Sequence, residues 1–328
     1  MDDIAIIVVS YNSARWIQSC LRSVFAHIGG LRADVVVVDA GSRDATTEIV
    51  ANFPEARLLR CRNGGFAYAN NRGLMTCDAR YVLFLNPDTE ILKGTLSDLI
   101  CALDARPNVG LAGVRQVDAE GRLDLTIRRF PNALRALGDA WSAERLPGRP
   151  AWLGERELDR GAYDGEVECD WTSGSFMLAR REAIESAGFL DERFFMYSEE
   201  TDLCRRIVSA GWEVRHLPWM TIFHDGGEVG LDPRIESLSA YNRIAYARKH
   251  FSPAHRALYF GTVLLRHWLR AFLPGRGELG TRRKAAHWAA LNTLLGRSPV
   301  PHGPPSRFSV RLRERPRSSS QEMPQAMR

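Results

Sequence analysis

Four places in the sequence carry side chains that could bind a cation, hold a polar ligand or move a proton. Asp88 follows a short apolar run, and a carboxylate just past a buried strand is well placed to hold Mg²⁺ or Mn²⁺. Asp39 follows a run of valines and can accept hydrogen bonds from a base N–H or from ribose hydroxyls. Glu199 and Glu200 open a predicted helix after an aromatic segment, where a carboxylate can act as a general base. His224 ends a predicted strand and suits a metal ligand or a diphosphate contact.

Each of these motifs also has a purely structural interpretation. Asp44 could cap the helix that follows Asp39, and Pro87 could place Asp88 in an ordinary turn. Acidic residues in a first helical turn complement the helix dipole, and Asp202 and Arg206 could form a surface pair four residues apart. A single histidine is more often structural than ligating.

A glycine-rich segment, Asn63–Phe66, precedes a helix that carries Asn70, Asn71 and Arg72. A flexible backbone at a helix start favours phosphate binding, although this pattern alone is a weak signal. Ser10–Asn12 supplies further polar groups directly after the first apolar run.

The apolar runs identify the elements that must position these side chains. Runs that are apolar on both faces are typical of buried parallel strands, and three of them span Ile4–Val9, Val35–Asp39 and Tyr81–Leu85. Helices are predicted between them, at about residues 13–27, 44–52 and 67–77. Strand, helix and strand at this spacing predict right-handed βαβ units.

Each of the three predicted strands ends at polar residues. Ligands of open α/β sheets bind at the carboxyl ends of the strands. We therefore expect three segments to line one crevice: Ser10–Asn12, Asp39–Asp44 and Asn86–Glu90.

The second half of the chain is predicted to continue the α/β pattern and then become helical. Strands are predicted at 171–178, 214–217 and 221–224, and helices at 180–187 and 198–210. Residues 232–295 have a mostly helical and basic pattern. Residues 298–328 are rich in Pro, Ser and Arg, which is typical of a disordered tail.

Composition argues against several other classes of protein. The 328 residues are 45% hydrophobic and 25% charged, as in ordinary globular proteins. The six cysteines form no CxxC pair, which indicates reduced thiols in a cytoplasmic protein rather than a cysteine-zinc or disulfide framework. The run Ile4–Val9 is expected to be a strand and not part of a signal peptide. No GxGxxG follows it, so a dinucleotide oxidoreductase is not expected.

The net charge of +5 comes from an excess of basic residues late in the chain. Five apolar side chains in this region can share one face of a helix: Leu258, Leu265, Trp268, Leu269 and Phe272. Arg266 and Arg270 lie mostly away from that face. No stretch reaches the roughly 18 apolar residues of a membrane span. An amphipathic basic helix with aromatics has the composition of an interfacial helix, so residues 253–297 are predicted to lie on an anionic membrane surface. A helix packed on the core or across a dimer would have the same stripe.

The order and spacing of these motifs resemble the inverting family-two glycosyltransferases of the GT-A fold. More narrowly, the chain is similar to bacterial rhamnosyltransferase-like members that build cell-surface polysaccharide. The resemblance covers roughly residues 3–250. It rests on seven segments: Val8–Asn12, Val37–Asp44, Asn63–Asn71, Leu83–Thr89, Gly174–Arg180, Gly188–Glu192 and Phe195–Leu203.

The resemblance implies an α/β fold with a mostly parallel central sheet flanked by helices and a helical C-terminal appendage. Residues 1–235 would form the GT-A catalytic domain, with a nucleotide-sugar-binding half at 1–108 and an acceptor and catalytic half at 109–235. Residues 236–297 would form the basic helical appendage, and residues 298–328 the disordered tail.

The resemblance also implies roles for individual residues. Asp88 matches the second position of the family's Asp-x-Asp metal motif, whose first position is Asn86 here, and His224 matches a late metal-ligating histidine. The implied cofactor is a divalent cation, Mn²⁺ or Mg²⁺. The family's Glu-Asp pair matches Glu199 and Glu200, so Glu200 replaces the usual aspartate base, and the choice between the two stays open. The implied donor-binding residues are Ser10, Tyr11, Asn12, Asp39, Asn63, Gly65, Asn70, Asn71, Asn86 and Asp88, and the implied acceptor-binding residues are Trp171, Gly174 and Tyr197.

The implied reaction is inverting, metal-dependent transfer of a hexosyl group, with rhamnose a candidate, in cell-surface polysaccharide or glycolipid synthesis. The donor would be a dTDP- or UDP-linked sugar, and the acceptor a saccharide or lipid-linked hydroxyl at the inner face of the membrane. Nucleic acid is not an expected partner, and the sequence leaves open whether the chain forms an oligomer. A sugar-phosphate nucleotidyltransferase would need a glycine-rich basic loop, which Ser10–Asn12 does not offer. An inactive nucleotide-sugar-binding subunit is disfavoured because Asp88, Glu200 and His224 are retained.

Overall fold

The three apolar runs of the first half form neighbouring strands in the computed structural model of the protein. The structure describes residues 1–140, 150, 152–226, 231–272 and 277–301. The strands in this part of the chain are β1 (Asp2–Ser10), β2 (Ala33–Asp39), β3 (Ala56–Arg60), β4 (Ala79–Leu85), β5 (Thr89–Lys93), β6 (Val109–Val117), β7 (Leu123–Asp124), β8 (Val167–Glu168), β9 (Phe176–Arg180) and β10 (Glu213–His224).

Helices alternate with the strands and then continue alone at the end of the chain. They are α1 (Ile17–Ala26), α2 (Thr46–Val50), α3 (Phe66–Leu74), α4 (Leu96–Asp104), α5 (Ala133–Ala140), α6 (Arg181–Ala187), α7 (Glu199–Ser209), α8 (Pro233–His250), α9 (Pro253–Phe272) and α10 (Gly277–Leu294). A short 3₁₀ helix spans Arg160–Asp164.

The strands form one mixed sheet in the order β3-β2-β1-β4-β9-β6-β10-β5. The first four strands of this order are parallel to one another. β9 runs antiparallel between β4 and β6, whereas β10 is parallel to β6 and antiparallel to β5. The predicted α/β fold, a central sheet flanked by helices, is confirmed.

The central strands are apolar on both faces because helices cover both sides of the sheet. Ile4 and Ile6 of β1 pack in one buried cluster with side chains of α1 and α4, and Ala5 and Ile7 pack in a second cluster on the opposite face with α3 and α7. Each fully buried isoleucine contributes about 1.5–3 kcal/mol relative to an exposed one. This double burial explains why the strand sequences lack polar alternation.

Two elements differ from the sequence-based expectation. The predicted strand at 171–178 begins only at Phe176, and Trp171 instead forms an isolated bridge with Arg128. The predicted strands at 214–217 and 221–224 are parts of one strand, β10, whose register shifts between Leu217 and Thr221. Pro218 lies inside this shift and has no N–H for a ladder hydrogen bond, which accounts for the irregularity.

The C-terminal region is helical, as its pattern predicts. The Asp232 side chain caps α8 by accepting from the N–H groups of Arg234 and Ile235 at 2.7 and 3.3 Å. α10 packs on both α8 and α9, and α5 packs on α9. None of the helices in the described ranges combines the length and the hydropathy that crossing a bilayer requires. The predicted tail lies outside the described residues from position 302 onward.

Candidate active site

The carboxyl ends of β1 and β2 meet at the first part of the site. Ser10 and Asp39 are opposite each other in the register, and Ser10 Oγ donates to Asp39 Oδ1 at 3.3 Å. The N–H groups of Gly41 and Ser42 donate to Asp39 Oδ2 at 3.2 and 3.1 Å. The buried carboxylate is therefore fixed in orientation, and Oδ1, which accepts only one of these bonds, keeps a lone pair for a ligand.

The loops that follow β1 and β2 are bonded to each other. Asn12, with a φ of 50°, donates its N–H to Ser42 Oγ and accepts from the Arg43 N–H through Oδ1, both at 2.8 Å. Asp44 Oδ1 accepts from the Thr46 N–H at 3.1 Å, but the N-cap of α2 is Ala45, so Asp44 stabilises the turn before the helix and is not its cap. Two of the three predicted segments therefore come together.

The third predicted segment starts at the same edge of the sheet. Val8 of β1 lies opposite Leu85, the last residue of β4, so the chain leaves β4 at Asn86 beside the end of β1. The Asn86 N–H donates to the Ser175 carbonyl at 2.9 Å and so joins this turn to the loop before β9.

Asp88 and His224 form a facing pair. β5 pairs with β10 so that His224 lies opposite Thr89, and His224 Nε2 is 3.7 Å from Asp88 Oδ2. That distance is too long for a direct hydrogen bond. Asp88 Oδ1 is buried and has no hydrogen-bond partner among the described residues. A carboxylate with a free oxygen beside an imidazole nitrogen fits a divalent cation.

The glycine-rich loop packs against the segment that precedes the acidic helix. Gly65 has a φ of 95°, and a Cβ there would lie 2.1 Å from the Phe195 carbonyl oxygen. The Phe66 N–H donates to that same oxygen at 2.7 Å. Tyr197 and Ser198, with φ of 72° and 73°, are two successive non-glycine residues in the left-handed region. Such strain persists only where the surroundings enforce it, and it is common at functional sites.

The asparagines of the same loop and helix have different surroundings. Asn71 is buried, donates to the Leu190 carbonyl and to Glu192 Oε1 at 2.9 and 3.1 Å, and accepts from the Leu190 N–H at 3.1 Å. These three bonds within the protein occupy most of the Asn71 amide. Its contact with a donor stays a prediction. Asn70 Oδ1 is buried without a partner in the described part of the chain, whereas Asn63 is exposed.

Glu199 and Glu200 occupy the first turn of α7 in a poorly hydrated environment. Burial raises the pKa of both carboxyls, and that of Glu199 lies well above its usual range, with the charge of Glu200 adding to the effect. Arg128 and Arg243 partly offset the effect of burial at Glu200. Glu199 is 4% exposed and Glu200 is half-buried. Oε2 of each has no hydrogen-bond partner among the described residues.

Asp202, one turn further along α7, has a different role. The pair with Arg206 exists at 2.8 Å, but the Asp202 side chain is 0% exposed, so the surface interpretation is wrong. Lys249 and His250 at the end of α8 also contact its Oδ1, at 2.6 and 2.8 Å. Asp202 therefore anchors α8 to α7. Sequence spacing predicted Arg206 as a partner but could not reveal Lys249 and His250, which lie more than forty positions from Asp202.

Of the predicted acceptor residues, Gly174 lies beside Glu200, whereas Trp171 packs elsewhere. A Cβ on Gly174 would lie 3.6 Å from Glu200 Cβ, so the absence of a side chain there keeps this approach open. Trp171 is 7% exposed, and its Nε1 donates to the Arg129 carbonyl at 3.0 Å, which places most of the ring in the core.

Gln116 and Thr172, two polar residues near the segment that holds Gly174, were not predicted. Ser175 Oγ donates to Gln116 Oε1 at 2.8 Å, which leaves Gln116 Nε2 buried without a partner in the described ranges. Thr172 Oγ1 is in the same situation. Gln116 lies beside Arg115 near the end of β6, and two polar residues at the end of a mostly apolar strand carry no distinctive spacing.

Comparison with known proteins agrees with this arrangement. The model of the family described as glycosyl transferase family 2 matches residues 5–186. An N-acetylglucosaminyl-diphospho-decaprenol L-rhamnosyltransferase of Mycobacterium tuberculosis is 30% identical over 264 residues, which cover 75% of this chain and 83% of the relative. The rhamnosyltransferase WbbL of Escherichia coli K12 is 24% identical over 67% of this chain and 82% of its own length.

Two solved structures share the fold at low sequence identity. A Pyrobaculum calidifontis mannosyltransferase in complex with GDP-Man and Mn²⁺ is 15% identical, with a TM-score of 0.53 over 90% of this chain and 87% of that one. GalNAc-T7 with UDP, GalNAc and Mn²⁺ is 11% identical, with a TM-score of 0.56, and this chain spans 56% of its length. The fold is that of GT-A glycosyltransferases, and the chain belongs to glycosyl transferase family 2.

Proposed function

We propose that this glycosyltransferase moves a sugar, with rhamnose the first candidate, from a nucleotide diphosphate to an acceptor hydroxyl with inversion. The observation that carries the proposal is the facing pair of Asp88 and His224 at one edge of the same sheet that holds Asp39. The donor would be dTDP- or UDP-linked. Support for rhamnose comes from the names of the two relatives, both rhamnosyltransferases.

The donor would lie across the ends of β1 and β2. Asp39, fixed by Ser10 and by the amides of Gly41 and Ser42, would accept hydrogen bonds from the base or the ribose. Tyr11 is 50% exposed beside it and offers a ring face against which a base can stack.

Asp88 and His224 would hold Mn²⁺ or Mg²⁺, because an orphaned carboxylate oxygen and an imidazole nitrogen suit either ion. Such a cation, when bound, neutralises charge on the departing diphosphate. Support comes from the Mn²⁺ in the mannosyltransferase and GalNAc-T7 structures, which share the fold.

Glu200 would accept the proton of the acceptor hydroxyl as that oxygen attacks the anomeric carbon. Its raised pKa brings the carboxylate nearer to the pH of the reaction, where a general base is most effective. Glu199 is less exposed and has the more strongly raised pKa, so it stays protonated over a wider pH range. Attack on the face opposite the leaving diphosphate inverts the configuration. Gly174 leaves the acceptor room beside Glu200.

A lipid-linked acceptor would fit the outer surface of the C-terminal helices. Trp268, Phe272 and Trp288 are 51%, 54% and 41% exposed, and their rings lie in a row with centroids 5.1 and 5.2 Å apart. We call these three residues the aromatic ridge. Arg283 and Lys284 lie on the same helix as Trp288, and basic residues beside aromatics favour an anionic membrane surface.

A thermal-shift screen of nucleotide diphosphate sugars tests the donor assignment. A dTDP- or UDP-linked sugar is expected to raise the melting temperature more with Mn²⁺ than without it, because ligands that bind the folded state stabilise it by mass action. An inactive binding subunit would give the shift but no Mn²⁺-dependent donor hydrolysis. No shift with any nucleotide sugar would contradict the proposal.

A further inference from the structure

A second group of candidate ligands lies in the C-terminal helices and shares no residue with the active site. Glu236 of α8, His267 of α9 and His287 of α10 are all buried and converge on one point. His267 Nδ1 is 3.0 Å from His287 Nδ1, His287 Nδ1 is 3.3 Å from Glu236 Oε1, and His267 Nδ1 is 3.7 Å from the same oxygen. We call these three residues the helical triad.

Hydrogen bonds alone satisfy the helical triad poorly. Nδ1 of a neutral imidazole either carries a proton or presents a lone pair. If His267 donates to His287, His287 Nδ1 has no proton for Glu236. Its lone pair then faces a lone pair of Glu236 Oε1 at 3.3 Å. If His287 donates, its one proton must serve both His267 and Glu236. A cation would satisfy all three atoms at once.

The size of the triangle matches a tetrahedral metal. Zinc bonds of about 2.0–2.1 Å to nitrogen and oxygen set ligand-to-ligand separations of about 3.3–3.4 Å. The three measured separations, from 3.0 to 3.7 Å, bracket that value. We propose that Glu236, His267 and His287 bind a zinc-type divalent cation, with water at the fourth position. Two imidazoles and one carboxylate are a ligand set suited to zinc.

The charges around the triad are compatible with this proposal. Burial, followed by the charge of Arg266, lowers the pKa of His267 to about 3, so the ring is neutral at physiological pH and can ligate a metal. Glu236 supplies one negative charge against the field of Arg266 and of Arg243. Arg243 is itself paired with Glu155 at 2.8 Å, which weakens its opposition to a bound cation.

The triad joins three helices, so a bound cation would act as a structural cross-link. α8 supports the acidic turn of the active site, because Asn242 Nδ2 donates to the Met196 carbonyl at 2.8 Å and Lys249 contacts Asp202. A cation that fixes the start of α8 against α9 and α10 therefore stabilises one wall of the site. This role is separate from the Mn²⁺ or Mg²⁺ proposed at Asp88 and His224.

Zinc content of the purified full-length chain, with any affinity tag removed, tests the proposal. After loading with zinc and dialysis against metal-free buffer, the wild type is expected to keep a stoichiometric amount by elemental analysis. Glu236→Gln and His287→Gln should each lose it, with affinity lowered by at least the roughly 10- to 100-fold that even an outer-shell partner is worth. Competition with a colorimetric zinc chelator measures this ratio, and circular dichroism confirms that the variants fold.

Two controls distinguish the triad from other zinc binding. His255→Gln, on α9 but outside the triad, should keep the zinc, and so should Asp88→Ala combined with His224→Ala. Replacement by Co²⁺ should give the visible absorption of a tetrahedral site in the wild type and not in His287→Gln. A wild type that binds no zinc above background, or triad variants that retain it, would overturn the proposal without affecting the proposed transfer activity.

Discussion

Glu199 and Glu200 are adjacent in sequence, but their environments differ. Glu199 is 4% exposed, and burial together with the neighbouring charge of Glu200 raises its pKa well above the usual range. Glu200 is half-buried beside Gly174, and two arginines partly offset the effect of its burial. This difference supports Glu200 over Glu199 as the proposed base, a choice that the sequence left open.

Replacing Glu200 by Gln should therefore reduce sugar transfer by roughly 10²-fold or more while leaving donor affinity nearly unchanged, because a general base contributes about that much. Transfer rates and donor titrations measure the two effects. Glu182→Gln is a matched control, since Glu182 also lies in the first turn of a helix but is exposed. If Glu199→Gln has the large effect and Glu200→Gln does not, the base is Glu199.

Glu199 also makes the stability of the protein depend on pH. Its pKa in the folded state is above the ordinary value of 4.5, so above about pH 4.5 the unfolded chain releases a proton that the folded chain retains. Stability therefore falls as pH rises from the unfolded pKa towards the folded pKa.

Glu199→Gln is expected to remove this loss of stability. The melting temperature of the variant minus that of the wild type should increase from pH 5 to pH 8, as thermal denaturation at several pH values would measure. A difference that is constant across this range would mean that Glu199 ionises in the folded protein as readily as in the unfolded chain.

At the level of elements, α7 and α8 together form the wall of the candidate site that carries Glu199 and Glu200. α7 begins after two residues in the left-handed region, and α8 holds that turn through Asn242 and the buried Asp202 network. The sequence predicted α7 within one residue at each end, because its pattern and the glycine after it are local. It could not predict the bonds from α8, which depend on how distant segments fold together.

The aromatic ridge on α9 and α10 is predicted to bind an anionic membrane surface. Of the stripe predicted from sequence, Leu258, Trp268 and Phe272 are exposed, whereas Leu265 and Leu269 are half-buried. Trp268→Ser combined with Phe272→Ser should weaken co-sedimentation with anionic vesicles at low salt, because the buried apolar area is lost.

Trp152→Ser serves as the control for this experiment, since Trp152 is 55% exposed but lies outside the ridge. The control should bind vesicles like the wild type. A wild type that ignores anionic vesicles even at low salt would mean that the ridge contacts something other than a membrane.

At the scale of the whole molecule, the sequence predicted the half of the sheet that depends on local connections. β1, β2 and β4 were recognised because helices cover both of their faces, and their polar ends are at one edge, as parallel topology requires. β9 was misplaced by several residues, and β3, β5, β6, β7 and β8 were not predicted. β9 pairs antiparallel with β4 and β6, which lie about ninety and sixty residues earlier in the chain, and such pairing leaves no local signal.

The candidate site shows the same division. Asp88 and His224 were singled out individually by their places after strands, and the pairing of β5 with β10 is what brings them within 3.7 Å. The sequence did not predict Gln116, Thr172 or the helical triad. Each of these polar residues lies in a segment whose pattern is mostly apolar or helical. Their significance is visible only in three dimensions, as buried polar atoms with too few partners.

The proposed reaction is cation-dependent transfer with inversion at the site of Asp88 and His224, and the configuration of the product shows whether it takes place. The wild type would be given Mn²⁺, the donor that stabilises it most and a saccharide acceptor, and the new linkage examined by NMR. We expect the anomeric configuration opposite to that of the donor, loss of transfer in Asp88→Ala or with chelator, and normal transfer in Asp78→Ala, whose exposed carboxylate precedes the other end of β4. Retained configuration, or full transfer by Asp88→Ala, would mean that the protein does not use Asp88 in an inverting, cation-dependent transfer.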